Sequence, residues 1–238
     1  MLKIIKNQEN FKTEIDWLTS YHHFSFGDHF HPDKTNFGHL RVFNDDTIQS
    51  GKGFGFHQHH DMEIVTYVLE GTLEHKDNFG NNGIIEPGEV QRMSAGTGIF
   101  HSEYNHSHTE YLKLLQIWIL PSQKGLKPSW EQHKFSKEER LNNFLCVVSP
   151  RTNNSSLLIH QDVSFYVSRL DNSKVEHTFA ENRMGYLFVI SGKLQVNDME
   201  LDTNDSVKIQ NESSIVLKSS VPSEVILLDL PANHENLQ

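Results

Sequence analysis

The sequence has a single cysteine and no long apolar run. Cys146 has no partner for an intrachain disulfide, which is typical of proteins in a reducing compartment. It lies in the apolar segment 144–148, so we expect a buried, inert thiol. No run of about eighteen apolar residues occurs, and residues 1–7 lack the apolar centre of a signal peptide. We therefore expect a cytoplasmic protein that does not bind membranes.

Basic residues are also scarce. The chain has 21 Lys and Arg against 31 Asp and Glu, a net charge of −10. Binding to phosphate backbones depends on clustered Lys and Arg, so we do not expect direct contact with nucleic acid. A hydrophobic share of 36% with 10% aromatics is enough for a packed core. With 238 residues, the chain has room for one large domain or two ordinary ones.

Short apolar segments separated by turns dominate the first half of the chain. Residues 64–69 and 111–120 are typical of strands, whereas 77–83 and Pro87-Gly88 are typical of turns. Strands without helical patterns between them predict a barrel or sandwich. Residues 122–140 are rich in proline, glycine, lysine and glutamate. We therefore expect a linker at 122–140 between domains at 1–121 and 141–238.

The strand pattern of the first half recurs in the second. Aligning Gly192 with Gly71 sets residues 188–194 against residues 67–73, which predicts two barrels made by duplication. The second barrel lacks the metal-ligating residues, so we expect it to have a structural role or to form one wall of the site in the first barrel. The residues opposite His57, His59 and Glu63 are Thr178, Ala180 and Met184.

Two short histidine patterns in the first half indicate a metal site. Side chains at i and i+2 of a strand share one face, so His57 and His59 converge. His101 and Glu103 converge in the same way. If the two strands pair, three imidazoles and one carboxylate meet at one place.

The chain has sixteen histidines, so a His-x-His spacing alone is weak evidence. His29 and His31 precede Pro32 in a loop, and we expect packing or surface roles for them. His106 and His108 fall in a polar loop, and we expect them to be exposed.

The spacing of the site residues resembles the two cupin motifs, although Gly96 stands where the second motif usually has proline. The first motif comprises Gly51, His57, His59, Glu63 and Gly71, and the second Gly98, His101 and Asn105. Residues 57–71, 88–96 and 101–103 further resemble the pirin family. This resemblance is near-continuous from Trp17 to Pro121 and weaker to Pro231. It implies an all-β fold of two cupin barrels, a bicupin.

The fourth ligand differs between the two patterns. General cupins use the position of Glu63, whereas pirins use that of Glu103. Strand parity does not decide, because Glu63 also lies an even number of residues from His59. Following the closer family, we expect His57, His59, His101 and Glu103 to hold the metal. Glu63 is then expected to orient a ligand histidine.

Three imidazoles and a carboxylate leave positions open on a six-coordinate ion. This ligand set favours Fe(II), with Ni, Mn, Cu, Co and Zn as alternatives, and the lack of a nearby cysteine argues against a closed structural zinc site. The pirin resemblance implies an activity like quercetin 2,3-dioxygenase, in which dioxygen opens the heterocycle of a flavonol. Glu103 is then also the expected catalytic base.

Two other functions stay open. The resemblance also implies a redox-sensitive, metal-containing binding protein that acts in regulation through protein partners. A cupin isomerase or sugar-binding protein would use the metal only to hold its ligand. Residues 53–56, Gly-Phe-Gly-Phe, either line an apolar pocket mouth for a flat aromatic substrate or pack as core and turn.

Overall fold

The computed structural model of the chain describes residues 1–151 and 156–232. These residues form β-strands and two short 3-10 helices, Asn7–Glu9 and Pro32–Lys34. No helix in the described ranges is long and apolar enough to cross a membrane. The predicted all-β class is confirmed.

The chain divides into two compact units. The N-terminal barrel contains Asn10–Lys134 and Ile159–Gln161. Of the described residues, the C-terminal barrel contains 1–9, 135–151, 156–158 and 162–232. Strand β1 (Leu2–Ile5) therefore belongs to the C-terminal barrel, although it comes first in the sequence.

The N-terminal barrel consists of a seven-stranded and a four-stranded sheet. Its strands are β2 (Phe11–Ile15), β3 (Leu18–His22), β4 (Leu40–Ile48), β5 (Gly53–His59), β6 (Glu63–Glu70), β7 (Leu73–Asp77), β8 (Asn82–Ile85), β9 (Glu89–Ser94), β10 (Ile99–Asn105), β11 (Leu112–Ile119) and β12 (Ser129–Lys134). The large sheet has the order β12-β9-β6-β11-β4-β3-β2, and the small sheet β5-β10-β7-β8. Alternate residues of these strands, such as Ile64 and Val68 of β6, fill apolar clusters in the core.

The C-terminal barrel repeats this arrangement. Its remaining strands are β13 (Leu145–Ser149), β14 (Leu157–Leu158), β15 (Ser164–Leu170), β16 (Ser173–Thr178), β17 (Arg183–Ser191), β18 (Lys193–Val196), β19 (Met199–Asp202), β20 (Ser206–Gln210), β21 (Ser214–Ser219) and β22 (Ser223–Pro231). The sheets run β1-β20-β17-β22-β15-β13-β14 and β16-β21-β18-β19. Strand β17 corresponds to β6 and β16 to β5, so the predicted pair of cupin-type barrels is confirmed.

The unit boundaries differ from the expected domain limits in three places, of which the smallest is the grouping of Ile159–Gln161 with the N-terminal barrel. Residues 129–134 lie in the expected linker but form β12, whose Trp130 packs against the N-terminal core. In the C-terminal barrel β1 takes the place that β12 occupies in the other, and Leu2 and Ile4 pack on that core. A short edge strand needs few apolar residues, which is why neither position was recognisable from composition.

Cys146 lies in β13 and is half-buried. Burial raises the pKa of its thiol, which leaves little thiolate at neutral pH. The environment therefore fits the inert thiol expected from the apolar sequence around it.

Candidate metal centre

The pairing of β5 with β10 brings the three predicted histidines together. His101 lies opposite His57, and Ile99 opposite His59, in the antiparallel register. The ring centroids are 4.4 Å apart for His57 and His101, 4.8 Å for His57 and His59, and 4.9 Å for His59 and His101. One nitrogen from each ring lies within 4.8 Å of the others. This cluster combines two alternate residues of β5 with a residue of β10 that lies some forty positions away in the sequence.

Burial keeps the inner rings in the form that binds metal. His101 is 1% exposed, and its Nε2 has no hydrogen-bond partner. Burial and the neighbouring imidazoles lower the pKa of His59 and of His101 to about 3. His57 contacts the Gly55 carbonyl through Nδ1 at 2.7 Å, which leaves its Nε2 available. Neutral imidazoles with free nitrogens are the donors that a divalent transition metal requires, so these residues fit such an ion.

Glu103 is buried beside this cluster and is held from two sides. Gln91 donates to its Oε1 at 2.5 Å, and Gln116 donates to its Oε2 at 2.7 Å. Thr66 makes a longer contact of 3.4 Å to Oε1. A register shift between His101 and Glu103, where β10 pairs with β5, changes the alignment of the two strands at this point. The carboxylate is therefore fixed on the inner face of the barrel by strands β6, β9 and β11.

Glu63 lies on the other face of the large sheet. It is fully buried and accepts hydrogen bonds from Ser94 Oγ at 3.0 Å and from the His160 backbone N–H at 3.3 Å. On β6 it precedes Thr66 by three residues. An odd spacing on one strand puts Glu63 and Thr66 on opposite faces, and Thr66 is on the Glu103 face. Within the described residues Glu63 contacts none of the three imidazoles, which differs from the orienting role expected for it. Asp61, at φ 44°, interrupts the extended backbone between His59 and Glu63. The even spacing of these two residues therefore does not put their side chains on the same face.

His75 is a further buried histidine beside the cluster that the sequence patterns do not predict. It is fully buried on β7, stacks on Trp130 at 5.1 Å, and its Nδ1 is 3.5 Å from Nδ1 of His101. On its other side, Nε2 is 3.5 Å from Asp77. Ligand atoms of His75, His101 and Glu103 also lie within 4.8 Å of one another. The only signal for His75 in the sequence is its even spacing from Leu73 and Asp77, which is common to many strands.

A cavity of about 170 Å³ opens beside the histidines. Its walls combine aromatic rings with polar groups of β3, β4 and β11. The lining residues are Leu18, Ser20, His22, Phe26, Asn44, Asp46, Phe54, His57, His59, Glu103, Gln116 and Trp118. Trp118 packs against His59 at 4.8 Å and against Phe26 at 5.4 Å. Of the Gly-Phe-Gly-Phe run, Phe54 lines the cavity, whereas Phe56 is 61% exposed.

The other His-x-His pairs do not join the cluster. His29 stacks on Phe11 at 5.3 Å and contacts Thr13. His106 lies at the surface, 3.7 Å from Glu74. Among the described residues, both groups of side chains that could hold a metal lie in the N-terminal barrel.

Comparison with known proteins agrees with this architecture in both halves. The Pirin family model matches residues 4–119, and the model of the quercetinase C-terminal cupin domain matches residues 146–230. A protein of Escherichia coli named quercetin 2,3-dioxygenase is 43% identical over 97% of this chain and 99% of its own length. A pirin-like protein of Caulobacter vibrioides is 38% identical over 90% of this chain and 92% of its own length.

A solved structure gives the same result. The bacterial pirin YhhW of Escherichia coli, crystallised in complex with nickel(II), superimposes with a TM-score of 0.93 at 42% identity. The match covers 98% of this chain and all of that one. Similarity of this extent, across both barrels, assigns the chain to the pirin family.

Proposed function

We propose that this chain is a metal-dependent dioxygenase that opens the heterocycle of a flavonol such as quercetin. The observation that carries the proposal is the cluster of His57, His59 and His101, whose ligand atoms lie within 4.8 Å of one another. Glu103 lies within the same distance of His101 and lines the same aromatic-walled cavity as His57 and His59. His57, His59, His101 and Glu103 would hold one divalent ion per chain, and their mixed nitrogen and oxygen set favours Fe(II). When bound, the ion supplies the Lewis-acid and dioxygen chemistry. The single cysteine supports a cytoplasmic location.

The cavity is suited to a flat aromatic substrate. The rings of Phe26, Phe54 and Trp118 provide apolar walls, and aromatic pairs favour offset or edge-to-face contacts. His57 and His59 line the same cavity, so a substrate between these walls lies beside the metal ligands. Burial of Glu103 and His101 excludes water from the inner end.

Glu103 is the group that would accept the proton of the flavonol 3-hydroxyl. It reaches the cavity, and its position is fixed by Gln91 and Gln116. A general base acts over hydrogen-bond distance, so a fixed carboxylate beside the substrate site meets the geometric requirement. The enzyme names carried by the relatives favour this function over a regulatory binding protein.

The test is incubation of metal-loaded protein with quercetin, with and without dioxygen. We expect oxygen consumption together with loss of the flavonol absorbance, and neither in chelator-treated protein. His59→Ala should abolish both signals and lower the metal content. His29→Ala is the matched control, because it alters a His-x-His pair outside the cluster. A metal-replete protein that consumes no oxygen with quercetin or other flavonols would refute the proposal.

A further inference from the structure

The cavity has a polar side formed by three neighbouring strands of the large sheet. Asn44 of β4 lies opposite His22 of β3 and Gln116 of β11, and Asp46 lies opposite Ser20. All five side chains line the cavity. None of them belongs to a cupin motif, and none is a proposed metal ligand.

Most of these polar groups are already satisfied by the protein. His22 contacts Asn44 at 3.0 Å through Nδ1 and Thr13 at 2.9 Å through Nε2. Gln116 donates to Glu103, and its Oε1 accepts from Thr66 at 3.0 Å. These contacts fix the wall and leave it little capacity to bind a ligand.

Asp46 differs from its neighbours. Its side chain is 3% exposed, yet its Oδ1 has no hydrogen-bond partner. A buried acceptor without a donor is unfavourable, and a ligand that supplies the donor recovers that energy. Burial, together with the nearby carboxylates of Asp45 and Glu103, raises the pKa of Asp46 to about 7. Near neutral pH the carboxyl is therefore able to donate a hydrogen bond as well as accept one.

The adjacent residue Asp45 shares the unpartnered buried Oδ1 but does not line the cavity. Asp45 is also buried on β4, but it points to the other side of the sheet, where Lys113 lies 3.6 Å from it. Asp45 has a cationic partner in the protein, whereas Asp46 faces the cavity. Asp45 therefore provides a matched control for the loss of a buried carboxyl group from this strand.

We propose that Asp46 is a specificity residue that binds a second hydroxyl group of the substrate, other than the 3-hydroxyl. The preferred substrates are then polyhydroxylated flavonols rather than flavonols that carry the 3-hydroxyl alone. This inference rests on the proposed flavonol function. The aromatic walls then bind any flat ring system, and Asp46 selects the polyhydroxylated substrates by hydrogen bonding.

The test is anaerobic binding, so that no turnover contributes to the signal. Metal-loaded wild type, Asp46→Leu and Asp45→Asn are titrated with quercetin and with 3-hydroxyflavone, which has no other hydroxyl. We expect Asp46→Leu to weaken quercetin binding about tenfold, as for one lost buried hydrogen bond. Its affinity for 3-hydroxyflavone and its metal content should stay at the wild-type values. Asp45→Asn should leave both affinities unchanged.

The outcomes separate the two proposals. If Asp46→Leu keeps the wild-type preference for quercetin, or weakens both ligands equally, the role of Asp46 is refuted while flavonol binding stands. If metal-loaded wild type binds neither flavonol, the proposed function fails and the inference fails with it. Asp46→Ala, which cannot overpack the cavity, makes the same comparison if the leucine variant does not fold.

Discussion

Replacing Glu103 by glutamine is the sharpest test of the metal centre. Both oxygens of Glu103 accept from amide groups, so one of them becomes an NH2 that faces another donor. Gln91 cannot turn its amide without losing Trp130, which donates to it at 2.8 Å. Gln116 is held less strictly, because the Thr66 hydroxyl that donates to its Oε1 can also accept from its amide. The conflict should cost about 1–3 kcal/mol, well below the roughly 5–15 kcal/mol that stabilises a typical domain.

The effect on metal binding should be larger than the effect on folding. Glu103→Gln removes the anionic ligand, so we expect metal affinity to fall by more than the roughly 10- to 100-fold seen when a residue that only orients a ligand is changed. A 100-fold loss is about 2.7 kcal/mol. Glu63→Gln is the matched control, because it retains an oxygen for Ser94 and lies on the other face of the sheet. Its metal affinity should stay near the wild-type value.

The assay compares the two variants side by side. Competition with a chromogenic chelator under anaerobic conditions gives metal affinity, and chemical unfolding of the metal-free proteins gives stability. The assignment of Glu103 as a ligand is refuted if Glu63→Gln empties the site while Glu103→Gln keeps a full complement of metal.

Three further predictions follow from the same geometry. His75→Phe keeps the stack on Trp130 but removes the nitrogen beside the cluster, so metal affinity should fall about 10- to 100-fold in the competition assay; wild-type affinity would contradict an orienting role. His160→Ala and His177→Ala should leave one ion per chain in elemental analysis, and a second ion in the wild type would show a site that we have missed. The raised pKa of Asp46, about 7 against its ordinary 3.8, means that the folded metal-free protein loses stability as pH rises through this range. Asp46→Asn removes this loss, so its unfolding free energy should fall less between about pH 5 and pH 8 than that of wild type. Urea unfolding at both pH values measures this change, and an equal change in the two proteins would contradict the prediction.

The cluster of histidines was predictable because its geometry is local. His57 and His59 share a face by strand periodicity alone, and His101 needs only one antiparallel pairing to reach them. The two barrels were predictable for a similar reason, since the alternation of apolar residues and turns recurs around Gly71 and Gly192. In both cases the regular geometry of β-strands converts a spacing in the sequence into a position in the structure.

The remaining parts of the site depend on contacts that no local pattern encodes. Gln91, Gln116 and Asp46 reach the cavity from strands far apart in the sequence, and their roles follow from the sheet order. Glu63 was ambiguous because the left-handed conformation of Asp61 resets the alternation. The edge strand β12 was taken for linker because its apolar content is low.

The position of β1 in the C-terminal barrel has a consequence for folding during synthesis of the chain. Strand β1 leaves the ribosome before the strands of the N-terminal barrel, but its partner β20 follows about 200 residues later. At a translation rate of roughly 5–20 residues per second, β1 waits about 10–40 s for its partner. All strands of the N-terminal barrel are made in that interval, so this barrel can close while β1 is still unpaired. The C-terminal barrel thus needs a strand that is made before the whole N-terminal barrel, and a C-terminal fragment expressed alone would leave the edge of β20 uncovered.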